Sequence, residues 1–355
     1  MNKKIILTGG GSAGHVTANI ALLPILKEHG FEILYVGSYD GIERKLIEDA
    51  GISYRGISTG KLRRYFSFKN LTDIFRVLKG YFEAKKIIKD FKPTIVFSKG
   101  GFVAVPVVKA AASRKIPCVL HESDMTPGLA NKLCQSSAIK ICCNFPETVE
   151  HLPKGKAIHT GTPIRQEIFS GTRKDAFAFT GLSPEKPVLL MMGGSTGSRI
   201  INEVLRSALP QLLETFQVIH LCGKGNLDTS IQQDGYVQYE YIQKELKDLL
   251  ALADIVLSRA GANAICEFLE LHKPNVLIPL SAKVSRGDQI LNATSFEQQG
   301  FSTCIDEDDL TVDTLISSLV ATYQNKDSFI TRMKAATTTD GIRQVYSVIE
   351  SVIGS

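Results

Sequence analysis

The chain has 355 residues, 44% hydrophobic and 22% charged, a composition typical of a soluble globular protein of about two domains. Its net charge of +5 is unevenly spread: residues 1–165 carry 25 Lys and Arg against 13 Asp and Glu, a net +12, whereas the rest carries 16 against 23, a net −7. No apolar run reaches the ~20 residues of a membrane-spanning helix, we expect no signal peptide, and the seven cysteines lack the spacing of a zinc site and the even count of a disulfide framework.

The first half alternates short apolar strands with helix-like runs, which predicts a parallel sheet covered on both faces. Ligands of such sheets bind at the carboxyl ends of the strands. The expected strands are Lys4–Thr8, Glu32–Val36, Ser53–Ser58, Thr94–Ser98, Cys118–His121 and Ile139–Cys143, and the expected helices are Ala18–His29, Ile42–Ala50, Leu71–Lys89, Val103–Arg114 and Leu129–Gln135.

A glycine-rich turn follows the first strand. Gly9, Gly11 and Gly14 fit the pattern G-x-G-x-x-G between a strand and a helix, and the free N–H groups of a first helical turn attract anions. A dinucleotide site would also need an acidic residue closing the second strand, where this chain has glycine and serine. The turn therefore predicts phosphate binding or a tight structural turn, and His15 is a candidate general base or a capping group.

A basic and aromatic stretch, Lys61–Lys69, interleaves cations with aromatic side chains. Phe75, Leu78, Tyr81 and Phe82 follow it at helical spacing. With the basic charge of the first half, this pattern indicates an interfacial anchor on an anionic membrane surface. Core packing with solvated cations and single-stranded RNA binding are the alternatives that these residues leave open.

Two further loops follow strands of the first half, at the same edge of the sheet as the glycine turn. They are Ser98–Phe102 and His121–Gly128. The side chains of His121 and Glu122 suit acid–base chemistry and equally suit structural hydrogen bonds, and Asp124 suits a helix cap.

The pattern pauses at Gly161–Pro163 and restarts with a second strand, glycine turn and helix. In this turn, Gly193–Ser198, the Ser195 hydroxyl can join the backbone N–H groups around a phosphate. Two such domains predict a ligand cleft between them. The further expected strands are Val188–Met192, Gln217–Leu221, Val237–Tyr241, Ile255–Ser258, Asn275–Ile278 and Ser302–Ile305, and the expected helices are Ile201–Leu213, Lys244–Ala251, Ala262–Leu271 and Ile290–Gln299.

Polar side chains on two helices of the second half suit a sugar nucleotide. Glu267 lies in the helix that follows Ser258–Gly261, where a carboxylate can accept hydrogen bonds from both hydroxyls of a ribose. Gln289 and Asn292 share one helical face, and their amides can both donate to and accept from sugar hydroxyls. A solvated glutamate, and amides in capping or surface roles, are the plain alternatives.

Seven motifs in order resemble the MurG-type undecaprenyldiphospho-muramoylpentapeptide β-N-acetylglucosaminyltransferases of bacterial peptidoglycan synthesis, and the Gram-positive branch matches best. One such motif is weak, whereas seven in the family's order are specific. The motifs are Thr8–His15, Ser98–Phe102, His121–Lys132, Gly161–Arg165, Gly193–Arg199, Ser258–Ala262 with Glu267, and Gln289–Ala293.

The resemblance implies a GT-B fold, an α/β architecture of two Rossmann-like domains whose parallel sheets face across a cleft. It implies an acceptor- and membrane-binding domain at residues 1–163, joined by a C-terminal helix at about 337–355, and a donor-binding domain at 164–336. It also implies a peripheral location on the cytoplasmic face of the cell membrane, near the cell-wall and division machinery.

The implied reaction moves N-acetylglucosamine (GlcNAc) from UDP-GlcNAc to the C4 hydroxyl of undecaprenyl-diphosphate-linked N-acetylmuramyl (MurNAc) pentapeptide. The anomeric centre is inverted, and no metal, other cofactor or nucleic acid takes part.

The resemblance carries over to single residues. His15 is the candidate base, with Glu122 and Asp124 in reserve. In the donor site, Glu267 matches the ribose-binding glutamate, Ile242 the residue whose backbone reads uracil, and Gln289 the glutamine on the GlcNAc hydroxyls. Ser195 and Arg165 match the residues at the donor phosphates, and Gly194, Ala262 and Asn292 complete the predicted donor site. The acceptor diphosphate and cleft are assigned to Gly10, Gly11, Ser12, Ala13, Gly14, Phe102, His121 and Asn131, and the membrane face to Arg63, Arg64, Phe66, Phe75 and Phe82.

Three departures from the better-known Gram-negative members matter. Asp124 replaces an asparagine, which changes the sugar contact or adds a proton-transfer group. Phe102 replaces a tyrosine, so any role of that hydroxyl is absent. Ala13 and Ala18 replace a glycine and a proline, which we expect to leave anion binding intact.

Three other functions stay open at this stage. A glycosyltransferase acting on another lipid, such as a diacylglycerol, is disfavoured by the His-Glu-Ser-Asp motif. An NAD-dependent oxidoreductase is disfavoured by the missing acidic residue after the second strand. A non-catalytic module that binds sugar nucleotide or RNA is disfavoured by the paired glycine turns.

Overall fold

The structure is a computed structural model that describes residues 3–11, 13–60, 68–194, 196–336 and 340–354, without the side chains of 13, 68–72 and 74. Of the predicted site residues, Ser12, Arg63, Arg64, Phe66 and Ser195 lie outside this description, as does the side chain of Ala13. Contacts within the chain separate two units, one of residues up to Arg165 together with the C-terminal segment from Thr339, the other Gln166–Thr338.

The first unit is built on a seven-stranded parallel sheet in the order β3-β2-β1-β4-β5-β6-β7. Its central strands are fully buried apolar runs, as expected of a parallel sheet that is covered on both faces. The strands are β1 Lys4–Thr8, β2 Glu32–Ser38, β3 Ser53–Ile57, β4 Ile95–Ser98, β5 Cys118–Glu122, β6 Lys140–Cys143 and β7 Ala157–His159.

Two hydrophobic clusters cover the two faces of this sheet. Side chains alternate along β1, so Ile5 and Leu7 enter one cluster and Ile6 enters the other. The helices of this unit are α1 Ala13–Ala21, α2 Leu23–Glu28, α3 Ile42–Asp49, α4 Phe68–Phe91, α5 Ala104–Ala112, α6 Leu129–Cys134 and the C-terminal helix α14 Gly341–Ile353.

Helix α14 belongs to the first unit although it ends the chain. Val345, Val348, Ile349 and Val352 lie in the same core cluster as Ile5 of β1. These positions repeat at i, i+3, i+4 and i+7, which places one apolar stripe of α14 against the sheet.

The segment after the first glycine turn differs from the prediction. One helix over Ala18–His29 was expected, whereas α1 begins at Ala13 and ends at Ala21, and α2 starts at Leu23. Apolar periodicity does not mark the small and polar residues that open α1. Pro24 lies in the first turn of α2, where it cannot continue the preceding helix. The short strand β7 was not predicted.

The second unit repeats the architecture with a six-stranded parallel sheet in the order β10-β9-β8-β11-β12-β13. Its strands are β8 Val188–Met192, β9 Gln217–Leu221, β10 Tyr236–Tyr239, β11 Ile255–Ser258, β12 Asn275–Leu277 and β13 Ser302–Cys304. Its helices are α7 Arg173–Thr180, α8 Arg199–Thr215, α9 Leu246–Leu252, α10 Ala262–Glu270, α11 Asp288–Gln298, α12 Val312–Gln324 and α13 Lys326–Ala335.

Each sheet has one point where the strand order reverses. It lies between β1 and β4 in the first unit and between β8 and β11 in the second. Open α/β sheets bind ligands at the carboxyl ends of the strands that flank this point. Both predicted glycine turns, after β1 and after β8, lie there.

Candidate active site

The first glycine turn packs closely against the loop that follows β4. Gly11 has a positive φ of 85°, which favours glycine. A Cβ on Gly9 would lie 3.2 Å from Cβ of Lys99, and a Cβ on Gly11 would lie 2.8 Å from the ring of Phe102. Glycine therefore lets the two loops that flank the switch point approach each other.

His15 lies in the first turns of α1 and is half-buried. Its Nδ1 lies 2.9 Å from the carbonyl oxygen of Gly10. A carbonyl oxygen only accepts, so Nδ1 carries a proton and the lone pair of the neutral ring lies on Nε2. Burial lowers the pKa of His15, and the charge of Lys99 lowers it further, against the Gly10 hydrogen bond. The ring is therefore a neutral base at pH 7, as the predicted role requires.

Lys99 is a buried lysine that sequence reasoning did not single out. Its side chain is 1% exposed, and Nζ donates to Nδ1 of His121 at 2.9 Å and to Oγ of Ser123 at 2.8 Å. The sequence shows it only as the second residue of the Ser98–Phe102 motif. Lys99 therefore brings a basic side chain close to both the first glycine turn and the Ser98–Phe102 loop.

The contacts of His121 favour a structural role. It is fully buried, its Nδ1 accepts from Lys99, and its Nε2 donates to the carbonyl of Gly161 at 2.9 Å. Burial, followed by the charge of Lys99, lowers the pKa of His121 well below its usual value. Because both ring nitrogens are engaged, the acid–base alternative for His121 is disfavoured, and the ring instead joins β5 to the loop after β7.

Glu122 organises the loop after β5. Its Oε1 accepts from the backbone N–H groups of Ser123 and Asp124, and its Oε2 accepts from the N–H of Gly128 and from Nδ2 of Asn131. Burial raises the pKa of the Glu122 carboxyl, and these hydrogen bonds oppose the shift. This arrangement disfavours Glu122 as a reserve base. Asn131 is also buried, and its contact with Glu122 favours a role in holding the loop over a role in binding a ligand.

Asp124 remains a candidate for the reserve base. Its side chain is half-buried, and its negative charge raises the pKa of His15, which places the two groups within electrostatic reach. Gly10 is buried and Gly14 is half-buried in the turn that carries His15.

The second glycine turn leads into α8. A Cβ on Gly197 would overlap the carbonyl oxygen of Cys222, so this position is restricted to glycine. Ser198 caps α8, its side chain accepting from the N–H of Ile201. Gly194 is exposed, with a positive φ of 83°. The turn presents the N-terminus of a 17-residue helix, which suits an anion.

Arg259, after β11, connects several loops of the second unit. Its role could not be predicted from the sequence. Nη2 donates to Oγ of Ser198 at 2.7 Å and pairs with Glu307, while Nη1 donates to the carbonyls of Ile278 at 3.1 Å and Pro279 at 3.2 Å. Its planar fork of donors suits several acceptors at once. The glycine turn is thus fixed to the ends of the neighbouring strands.

The predicted sugar-binding amides differ in their surroundings. Gln289, in the first turn of α11, accepts from the N–H of Leu280 at 3.0 Å and is half-buried. Asn292 is fully buried, and its Nδ2 donates to the carbonyl of Ala260 at 3.2 Å. Asn292 therefore supports the loop before α10, which disfavours direct contact with a sugar.

The remaining donor-site predictions are Glu267, Ala262 and Ile242 in the second unit and Arg165 in the first. Glu267 is half-buried in α10, whose first residue is the buried Ala262, and Ile242 follows β10. Arg165 closes the first unit, and its Nε is buried without a hydrogen-bond partner. An unpartnered buried guanidinium N–H is costly unless an acceptor reaches it, as a phosphate oxygen would.

Helix α4 carries an exposed apolar stripe. Phe75 and Phe82 are each 65% exposed, and Leu78 is 50% exposed. No helix in the described part of the chain is long and apolar enough to span a bilayer.

Among the described residues there is also no group of three or more His, Cys, Asp or Glu side chains that could hold a metal ion.

Two family profiles match the chain. They are the glycosyltransferase family 28 N-terminal domain over residues 5–142 and the glycosyltransferase family 28 C-terminal domain over residues 188–349. A curated UDP-N-acetylglucosamine–N-acetylmuramyl-(pentapeptide) pyrophosphoryl-undecaprenol N-acetylglucosamine transferase of Lachnoclostridium phytofermentans is 60% identical over 351 residues, 99% of each chain. A protein of the same name from Clostridium botulinum is 54% identical over 349 residues, 98% of this chain and 99% of the relative.

Solved structures agree on the fold. The crystal structure of Acinetobacter baumannii MurG matches with a TM-score of 0.75 at 23% identity, covering 98% of this chain and 99% of that one. The glycosyltransferase of kitacinnamycin matches with a TM-score of 0.74 at 14% identity, covering 99% and 100%. The predicted GT-B class, with two parallel-sheet α/β domains, is confirmed.

Proposed function

The chain belongs to glycosyltransferase family 28, and from this premise we propose that it transfers GlcNAc from UDP-GlcNAc to undecaprenyl-diphosphate-linked MurNAc-pentapeptide. The observation that carries this conclusion is 60% identity to a transferase of that name over 99% of both chains. The protein is an N-acetylglucosaminyltransferase of peptidoglycan synthesis, and a transfer assay with labelled donor and alternative lipid acceptors tests it.

His15 is the base in this proposal. The Gly10 carbonyl holds the ring with its lone pair on Nε2, and burial keeps it unprotonated. Nε2 takes the proton of the acceptor's C4 hydroxyl while that oxygen forms a bond to the anomeric carbon of GlcNAc. The bond from that carbon to the UDP oxygen breaks on the opposite face, which inverts the centre.

The leaving diphosphate is stabilised by donors on this chain. The positive end of α8 and the N–H groups of the described residues in the turn before it suit an anion. Arg165 supplies a cationic donor, and its unpartnered Nε supports this role. Preorganised donors of this kind stabilise developing charge, so we propose that the reaction requires no metal ion.

The two units divide the substrates. The turn after β1 would hold the acceptor's diphosphate, since its glycines and the N-terminus of α1 suit a phosphate and Lys99 lies behind it. The second unit would hold UDP-GlcNAc, with Glu267 on the ribose, the backbone at Ile242 on the uracil and Gln289 on the GlcNAc hydroxyls. Neither half needs nucleic acid for this reaction.

The first unit also docks on the membrane surface in this proposal. The acceptor carries an undecaprenyl chain, and α4 presents exposed phenylalanines next to Arg76 and Lys79, whose side chains are 67% and 69% exposed. Aromatic and basic side chains on one helix suit an anionic bilayer interface. This supports a peripheral location at the cytoplasmic face of the cell membrane.

Replacing Phe75 and Phe82 by glutamate is expected to abolish flotation with vesicles containing anionic lipid. Each exposed phenylalanine that is withdrawn from the bilayer should weaken binding by about tenfold. Phe169→Glu, at a residue 46% exposed in the second unit, is the matched control and should float like the wild type. Unchanged flotation of the Phe75→Glu/Phe82→Glu variant would remove α4 from the membrane face.

A further inference from the structure

The first unit contains a cavity that the proposed reaction does not use. It has a volume of about 730 Å³, within the range of ligand pockets. Its walls come from the carboxyl ends of β2 and β3, the start of α3 and one side of α4, and Gly11 and Phe102 line it where it meets the first glycine turn. The cavity thus adjoins the turn assigned to the acceptor's diphosphate.

Glu43 is the buried carboxylate of this cavity. It is 1% exposed and lines the cavity wall. Its Oε1 accepts from the N–H of Ser38 at 3.0 Å and from the Ser38 hydroxyl, whereas its Oε2 is buried without a hydrogen-bond partner. A buried acceptor left unpaired is costly, which points to a donor that arrives with a ligand.

Glycines make the space for this carboxylate. A Cβ on Gly10 would lie 2.8 Å from the carboxyl carbon of Glu43, a Cβ on Gly37 would lie 2.9 Å from its Cγ, and a Cβ on Gly41 would overlap its carboxylate. The acidic residue that the sequence lacks at the end of β2 is therefore supplied by α3. Glu43 places its carboxylate against the glycine turn, where the acidic residue of a Rossmann fold accepts hydrogen bonds from its ligand.

The charges of the cavity are ordered from inside to outside. Glu43 and Asp73 are buried, whereas Asp40, Arg76 and Lys79 are exposed, so the charged groups at the mouth sum to +1. The Arg76–Asp73 pair is long at 3.9 Å, and a surface cation so weakly paired can contact another anion. The cavity thus suits a ligand with N–H donors at its inner end and a carboxylate at its mouth.

We propose that this cavity binds the pentapeptide of the acceptor. A peptide carries a row of N–H donors and ends in a carboxylate, so one N–H pairs with Oε2 of Glu43 and the carboxylate lies near Arg76 and Lys79. The inference rests on the proposed function, since the peptide and the diphosphate belong to one acceptor and the cavity and the turn share Gly11. Glu43 then contributes to acceptor specificity without taking part in the chemistry.

The test compares two short-chain, water-soluble acceptors, one with the pentapeptide and one with the same diphosphate and sugar but no peptide. The kcat/KM of the wild type should be about tenfold or more higher for the peptide acceptor. This is the contribution expected from one charge-assisted hydrogen bond between Glu43 and a peptide N–H. Glu43→Gln and the exposed pair Arg76→Glu/Lys79→Glu should each reduce that preference through the acceptor KM, with the KM for UDP-GlcNAc unchanged. Glu48→Gln, at an exposed ion pair on the same helix, should retain it.

Three outcomes would overturn the proposal. They are equal kcat/KM of the wild type for both acceptors, an undiminished preference in Arg76→Glu/Lys79→Glu, or a loss in both variants that is the same with and without the peptide. The last outcome would place the sugar, not the peptide, in the cavity. Because Arg76 and Lys79 lie on the surface, their variant stays informative even if Glu43→Gln fails to fold. Absence of transfer by the wild type to either acceptor would instead contradict the proposed function.

Discussion

Replacing His15 by glutamine is expected to lower kcat by about 10²- to 10⁴-fold, the usual contribution of a general base. Glutamine can still donate to the Gly10 carbonyl that now accepts from Nδ1, so the glycine turn should keep its shape. What is lost is the lone pair on Nε2. Steady-state rates at saturating donor and acceptor report the loss of the base, and calorimetry of UDP binding reports any damage to the donor site. The Kd for UDP should stay within about threefold of the wild type.

The pH dependence gives a second readout of the same prediction. The base must be unprotonated, so the rate falls as the pH drops through the pKa of His15. Burial and Lys99 lower that pKa below its ordinary value of 6.5, so the acid limb of the wild-type profile should lie below pH 6.5, and His15→Gln should lack it.

His29→Gln is the matched control. His29 also places Nδ1 at 2.9 Å from a backbone carbonyl, that of Ile25, but on the exposed end of α2. Its replacement should leave kcat unchanged. If His15→Gln retained near wild-type turnover, His15 would not be the base, and Asp124 would become the first candidate.

Replacing Glu267 by alanine is expected to weaken UDP-GlcNAc binding by about 10²-fold, because two charge-assisted hydrogen bonds to a ribose are lost. The loss should appear in the KM for UDP-GlcNAc and in the Kd for UDP, with the acceptor KM unchanged. Glu270→Ala tests the same helix, since Glu270 lies three residues further along α10 and should stay within about threefold of the wild type.

An equal effect of the two substitutions would contradict the ribose assignment. It would show that α10 is sensitive to the loss of any glutamate. If the Glu267→Ala variant bound UDP with the wild-type Kd, Glu267 would not bind the ribose.

The sequence predicted most of the fold because its signals are local. Apolar strands such as Val188–Met192 and Gln217–Leu221 have the predicted bounds, since a buried parallel strand is a short apolar run between turn residues. The split between α1 and α2 follows from Pro24, a local signal whose effect was underestimated. Strand β7 has only three residues, too few for a pattern.

The site was harder to predict because its roles depend on distant partners. His121 pairs with Gly161, 40 residues away, and Asn292 with Ala260, 32 residues away, so neither pairing can be read from spacing. Residue type alone left ligand contact and a structural role open for both Asn292 and His121. The three-dimensional contacts favour support of neighbouring loops for both.

The overlooked residues share this cause. Lys99, Arg259 and Glu43 look like ordinary charged residues in the sequence, yet each is buried or nearly so among glycine turns. In a dinucleotide fold the acid is expected at the end of β2, whereas the Glu43 carboxylate reaches that place from α3. Three glycines that make room for one side chain become a signal only when the fold brings them together.

The most direct test of the central claim is the identity of the glycosylated product. The protein is incubated with UDP-[¹⁴C]GlcNAc and undecaprenyl-diphosphate-linked MurNAc-pentapeptide, with a diacylglycerol as the alternative acceptor, and the labelled lipid is analysed by mass spectrometry and NMR. We expect one GlcNAc per acceptor, β-linked to the muramyl C4 oxygen, with one UDP released for each. Label on the diacylglycerol instead, or UDP release without a labelled muramyl lipid, would contradict it.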